Sequence, residues 1–232
     1  IWFDGWWDHD QDPDFDWQLP EQYAMIHRLQ PSCLIGNNHH QIPFAGEDIQ
    51  IFERALPGEN SSGLSGQDIS ALPLETCETM NGMWGYKITD QEYKSPKTLI
   101  HYLVKAAGKN ANLLMNIGPQ PNGELPEIAI SRLKEIGEWM KIYGETIYGT
   151  RSGSVAPHDW GVTTRKENRM FVHILDLPDN GLYLPMTEKV KKAVVFKDKT
   201  PIKYMQDKQG VVLKFKEAPT DIDYVIELTL AD

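Results

Sequence analysis

Apolar residues recur in two rhythms along the chain. From residue 1 to about 150, short apolar runs alternate with stretches of helical period; beyond 151 only short runs remain. Pro20 opens a helix over about 21–29 with Ala24, Met25 and Leu29 on one side, and Pro31 ends it. Cys33-Leu34-Ile35-Gly36 reads as a buried strand running into the polar cluster Asn37-Asn38-His39-His40. Ser95 caps and Pro96 starts a second helix, whose apolar face of Leu99, Ile100, Leu103 and Val104 ends at Gly108. A strand over 112–117 follows, then a Pro/Asn/Gly turn at 121–123. After Pro126 a long helix carries Leu133, Ile136, Gly137, Met140 and Tyr143 at helical spacing. Strands alternating with helices predict a parallel sheet, open or closed into a barrel.

The later runs MFVHILDL, LYLPM, KKAVVF, IKYMQD, VVLKFK and YVIELTL are separated by DNG, DKT, KQG and PTD turns, the pattern of a small antiparallel β-sandwich over 151–232. The division leaves residues 1–150 for the alternating part, whereas a closed (β/α)8 barrel takes typically about 250 residues. Ile1-Trp2-Phe3 also reads as the interior of a strand. The expectation is therefore an α/β chain comprising the second half of a (β/α)8-like TIM barrel and an appended sandwich. A half barrel alone leaves open edges and an unburied apolar face, so the isolated piece is expected to aggregate.

Composition narrows the function. The 232 residues are 41% hydrophobic and 24% charged, ordinary for a globular protein, and no apolar run reaches the roughly 18–20 residues of a membrane span. A formal charge of -10 speaks against a nucleic-acid partner and suits a neutral substrate. Cys33 and Cys77 lie far apart in apolar or strand-like stretches and read as core thiols rather than as a disulfide or zinc site.

In a parallel barrel, side chains at the C-terminal ends of strands face the active site. Asp4 sits at such an end, between Trp2-Phe3 and Gly5, and a carboxylate among aromatic rings suits sugar cleavage. The run Asp8 to Asp14 alternates carboxylates like a calcium loop but has Pro13 where that loop needs Gly and Leu19 where it needs Glu, which makes it a solvated acidic loop. His39 and His40 are adjacent, so on extended backbone they point to opposite sides and at most one faces the site; a sugar contact suits them better than a metal. Glu47, Glu53 and Glu75 compete as proton donor, each after or between strand-like segments in a long loop. Trp84, beside Gly85, could wall a pocket or pack in the core.

WFDG, LETCETMNGMWGY, NLLMNIGPQPNGELP and RLKEIGEWMKIYGETIYGTR, in this order and spacing, resemble the α-L-fucosidases of glycoside hydrolase family 29 over nearly all of 1–151. The resemblance implies that the Asp of WFDG, Asp4, is the nucleophile of a retaining mechanism that needs no cofactor and no metal. AGEDIQIFERALPG resembles the stretch in which an acidic residue precedes an LPG turn, which makes Glu53 the acid/base; Glu75 matches an LE position also considered for that role, and Glu47 is third. By the same resemblance Trp2 flanks the nucleophile, Trp84 faces the fucose methyl, and Asn38 or His39 contacts the sugar. The family often has Arg in that neighbourhood, and this sequence lacks it. The implied activity is exo-acting release of terminal α-L-fucose from an oligosaccharide or glycoconjugate, in a secreted, periplasmic or lysosomal protein. The competing readings are a catalytically silent fucose-binding protein, a structural barrel fragment, and a retaining hydrolase of another sugar.

Overall fold

The computed structural model describes residues 1–12 and 14–231; Pro13, the residue that interrupts the calcium-loop pattern, and Asp232 lie outside the described residues. The chain forms two compact units. One comprises Ile1–Thr79 with Ala111–Asn116, the other Met80–Asn110 with Ile117 onward.

The first unit is built on a five-stranded parallel sheet in the order β1 (Trp2–Phe3), β2 (Gly36–Asn37), β3 (Ile49–Glu53), β4 (Leu74–Thr79) and β5 (Ala111–Asn116). Helix α1 (Leu19–Leu29) connects β1 to β2, and its Pro20 lies in the first turn, where the missing N–H is harmless. Register decides which side chains share a face: Trp2 pairs with Gly36, Ile51 with Glu75, and Glu53 with Cys77. Partners in a parallel pair point the same way and the period is two. One face therefore carries Trp2, Ile51, Glu53, Glu75 and Cys77, and extends to Asp4. The other face carries Phe3, Asn37, Phe52, Leu74 and Ala111. Phe52, Leu74 and Ala111 form a buried cluster there, and α1 covers the β1–β2 part with Leu19 and Tyr23, which cluster with Ile35 and Phe3. Trp2 Nε1 donates to Glu75 Oε1 at 3.1 Å across two intervening strands. Three strand spacings amount to about 14 Å in a flat sheet, so the sheet curves with the Trp2–Glu75 face concave.

The second unit contains α2 (Pro96–Gly108), α3 (Glu127–Tyr143) and eight strands: β6 (Arg151–Ser152), β7 (Gly161–Lys166), β8 (Arg169–Ile174), β9 (Gly181–Leu184), β10 (Val190–Val195), β11 (Lys203–Gln206), β12 (Val211–Lys214) and β13 (Tyr224–Leu230). They form two antiparallel sheets, ordered β10-β13-β8-β7-β6 and β11-β12-β9. The six short apolar runs of the sequence are β8 to β13. Met170, Val172 and Ile174 of β8 pack with Leu184 and Leu213 of the smaller sheet, while Phe171 joins Val162, Phe196 and Val225 against Ile100, Val104, Trp139 and Tyr143 of the two helices. The larger sheet is thus covered on both faces, which is why β8 is buried continuously from Met170 to Ile174 rather than on alternate residues. A Cβ at Gly108 would stand 2.4 Å from that of Val162, so the end of α2 needs glycine to approach β7.

Ser95 accepts from the backbone N–H of Thr98 at 3.1 Å and caps α2. Ser95→Ala should lower stability by about 1 kcal/mol, with Ser95→Asp restoring most of it, as read from the midpoint of urea unfolding.

Candidate active site

The site grows from the four residues at and after the end of β2. Asn37 turns to the covered face, where its Nδ2 donates to the Tyr23 hydroxyl at 2.8 Å. Asn38 turns to the concave face, where its Nδ2 lies 3.3 Å from Asp4 Oδ1 and 2.7 Å from Glu53 Oε2. His39 turns back to the covered face, with Nε2 at 3.0 Å from Glu47 Oε1. His40 returns to the concave face, with Nε2 2.9 Å from Glu53 Oε2. A left-handed backbone at His40, φ 58°, ends this alternation; for a residue with a Cβ that conformation is uncommon and marks a constrained turn. The His40 ring stacks on Trp7, centroids 5.2 Å apart and planes within 9°.

Asp4 and Glu53 thus meet at one amide. Asn38 is 1% exposed and Glu53 8%, whereas Asp4 is open to solvent. Two carboxylates claim the Asn38 NH2, because its carbonyl end would repel both, and its Oδ1 is left buried without a partner among the described residues. Leaving such an acceptor unmet costs roughly 1–3 kcal/mol, which a ligand hydroxyl donating to it would offset. Among the described residues no cluster of three or more His, Cys, Asp or Glu side chains could hold a metal.

The three glutamates separate cleanly. Glu53 ends β3 on the concave face and Glu75 is the second residue of β4, so both stand on strands rather than in the long loops expected for them; the register that pairs β3 with β4 draws them in. Glu75 is engaged by Trp2. Glu47 belongs to the other side of the sheet, 7% exposed, accepting from Tyr23 Oη at 2.9 Å and held by His39. Burial raises the pKa of the Tyr23 phenol, the Asn37 bond draws it back, and Glu47 raises it again. The expected sugar contact at His39 is not what its surroundings favour, since the ring is 4% exposed and lies against Phe44, centroids 4.2 Å apart. His40, stacked on Trp7, takes the position beside Glu53; the opposed directions of adjacent residues imply one inward histidine but not which. Trp84 lies in the second unit and is partly buried.

The family model described as Alpha-L-fucosidase matches residues 1–145, the stretch that holds every residue of this constellation. The chain belongs to the α-L-fucosidase family. Plasma α-L-fucosidase of Homo sapiens is 33% identical over 117 residues, 46% of this chain and 25% of that protein. The α-L-fucosidase of Dictyostelium discoideum is 30% identical over 115 residues, 47% of this chain and 25% of that protein. Among solved structures, α-L-fucosidase isoenzyme 1 from Paenibacillus thiaminolyticus has 32% identity and a TM-score of 0.77, covering 93% of this chain and 54% of that one. An α-L-fucosidase GH29 from Bacteroides thetaiotaomicron has a TM-score of 0.80 at 24% identity, covering 99% and 55%, a likeness of fold. The chain spans about a quarter of the length of these curated relatives and about half of these solved ones.

In this fucosidase-family site Cys77 shares the concave face with Glu53 and is 3% exposed. Burial, with the charges of Glu53 and Glu75 adding to it, pushes its thiol up to about 12. Cys33 is only partly buried. Iodoacetamide at pH 8 should therefore label Cys33 in the native protein and reach Cys77 only on unfolding, by peptide mass mapping. Native labelling of Cys77 at the same rate would contradict its placement.

Proposed function

We propose that the chain carries the chemistry of a retaining, exo-acting α-L-fucosidase, with Asp4 as nucleophile and Glu53 as acid/base. In this reading residues 1–150 belong to a (β/α)8-like barrel and 151–232 to its β-sandwich domain, and the substrate is a terminal α-L-fucosyl residue of a glycan. The observation that carries it is the shared amide: Asp4 Oδ1 and Glu53 Oε2 lie 3.3 and 2.7 Å from one nitrogen. That caps the separation of these oxygens below the roughly 6.5–9.5 Å that an inverting pair needs for an intervening water, and supports retention.

The roles follow from the environments. Asp4 is exposed at a strand end, where an anomeric carbon can reach it. Its carboxylate attacks that carbon as the bond to the leaving oxygen breaks, and Glu53 delivers its proton to that oxygen. Glu53 Oε2 is occupied by Asn38 and His40, so Oε1 is the atom that faces the leaving group. A water then gives a proton to Glu53 while its oxygen attacks the anomeric carbon, freeing Asp4 and releasing fucose with retained configuration. The unmet Asn38 Oδ1 suits a sugar hydroxyl. Glu75, tied to Trp2, holds the ring that flanks the nucleophile, and Glu47 braces the far side of the sheet.

Tested in the full-length protein, Asp4→Gly should be nearly inactive on every fucoside, with azide filling the vacated space to give a β-fucosyl azide. Glu53→Ala should keep substantial turnover of an activated aryl fucoside while losing natural oligosaccharides by about 10²–10⁴-fold, with azide now yielding the α-product. Should Glu75→Ala show that leaving-group dependence and Glu53→Ala not, the two roles are exchanged. A protein that binds fucose but cleaves no fucoside would replace the hydrolase reading with that of a silent binding protein.

A further inference from the structure

Beside His40, the partner of Glu53, lies a wide-open cavity of about 570 Å³ lined by His40, Gln41, Ile42, Phe44, Gln67 and Asp68, a size within the roughly 300–1,000 Å³ of small-ligand sites. Its edge is the same imidazole that lies 2.9 Å from Glu53 Oε2. Its walls are anchored to β3. Gln67 Nε2 donates to Ile51 O at 2.9 Å, Gln50 Nε2 donates to Asp68 O at 2.7 Å, and the hydroxyls of Ser62 and Ser65 both donate to Glu53 O, at 3.1 and 2.9 Å. With its amide nitrogen committed to Ile51, Gln67 leaves Oε1 without a partner in the wall. Gln41 and Asp68 expose their side chains, and Phe44 and the 58% exposed Ile42 supply apolar surface.

We propose that this cavity seats the leaving sugar, a neutral pyranose, and that Gln41 and Asp68 select it. The proposal rests on the fucosidase reading above. The acid/base must touch the glycosidic oxygen, so the sugar beyond that oxygen begins one covalent bond past the atom that Glu53 touches, and the cavity begins at His40, Glu53's own partner. A pyranose offers an apolar face for Phe44 and Ile42 and hydroxyl donors for the Gln41 amide oxygen and the Asp68 carboxylate. The Asp68 charge disfavours an anionic leaving sugar, which sets the preference for a neutral one.

Full-length wild type and the Gln41→Ala/Asp68→Ala variant are compared on α-L-fucosyl fluoride, whose leaving atom is too small to enter the cavity, and on fucosyl disaccharides of galactose and N-acetylglucosamine. The ratio of kcat/KM for the preferred disaccharide over the fluoride should fall about tenfold in the variant. Methyl galactoside or methyl N-acetylglucosaminide, as an acceptor for the fucosyl-enzyme, should show saturable transfer in wild type and lose that saturation in the variant. Asp68→Asn, which keeps the hydrogen-bonding shape, should restore much of the ratio and narrow the gap between neutral and uronic-acid leaving groups. An unchanged ratio, an equal fall on both substrates, or wild-type cleavage of the fluoride without the disaccharides overturns the subsite while leaving the fucosidase reading standing. If wild type cleaves none of them, that reading fails and the subsite with it.

Discussion

The alternation of four consecutive side chains, Asn37 to His40, is the constraint from which the rest of the first unit takes its arrangement. Extended backbone sends neighbours to opposite faces, so a single short segment must satisfy two environments at once. Asn37 and His39 enter the layer between sheet and helix, where Tyr23 and Glu47 receive them. Asn38 and His40 enter the concave face, where both reach Glu53 and Asn38 also reaches Asp4. Neither set can move without the other, because a shift of one residue would exchange their faces. The polar cluster behind the sheet therefore fixes the aim of the groups in front of it.

That cluster would be costly if it were incomplete. Removing one partner from a buried charged pair typically costs 3–5 kcal/mol, since the other charge is left uncompensated. Glu47 avoids this by taking the Tyr23 hydroxyl and His39 together, with Asn37 holding the hydroxyl's oxygen in turn. The second unit contains a related buried pair, in which Asp223 Oδ1 is left without a partner among the described residues. His173 and Asp223, both fully buried, lie 2.8 Å apart, and the far nitrogen of His173 meets Thr164 Oγ1 at 3.2 Å. In neither case does the sheet expose the pair to substrate, so a histidine beside a carboxylate is not by itself a sign of catalysis here. What distinguishes His40 is that its partner also touches, through Asn38, a carboxylate that is open to solvent.

Much of this was legible in the sequence, and the failures have a common cause. The capped helix from Pro96 to Gly108, the helix after Pro126 and the six runs of the sandwich stand where their period and punctuation put them. The sequence puts Glu53 and Glu75 in long loops after or between strand-like segments, yet both stand on the strands themselves, Ile49–Glu53 and Leu74–Thr79. A buried parallel strand normally announces itself as a continuous apolar run. These two carry Glu53 and Glu75 on their polar concave face, and on the covered face the buried Gln50 and Thr76, whose side chains donate to Asp68 O and Ala55 O. The strands that carry Glu53 and Glu75 are thus the ones the apolar signal describes worst. Strand β7 is hidden for a related reason: Gly161-Val162-Thr163-Thr164 buries two threonines whose hydroxyls donate to Val155 O and Thr146 O, and so carries little apolar signature. His39 and His40 could be separated only by knowing where the alternation starts, which is a matter of register and not of composition.

The last link runs from strand end to loop. Two serine hydroxyls, Ser62 and Ser65, converge on the carbonyl of Glu53, and Asn60 Oδ1 takes the N–H of Ser65 at 2.9 Å. The residue that ends β3 therefore also anchors the returning loop. Its side chain is fixed from the other direction by Asn38 and His40. With backbone and carboxylate both tied, Glu53 has little freedom to adjust to a ligand; in the proposed reading, adaptation to different leaving groups then falls to the exposed side chains of Gln41, Ile42 and Asp68. A scaffold that holds its reacting groups rigidly and leaves variation to loop residues can change what it cuts without disturbing how it cuts. In this chain that division runs between Asn38, which touches both carboxylates, and Gln41, three residues further along the same loop.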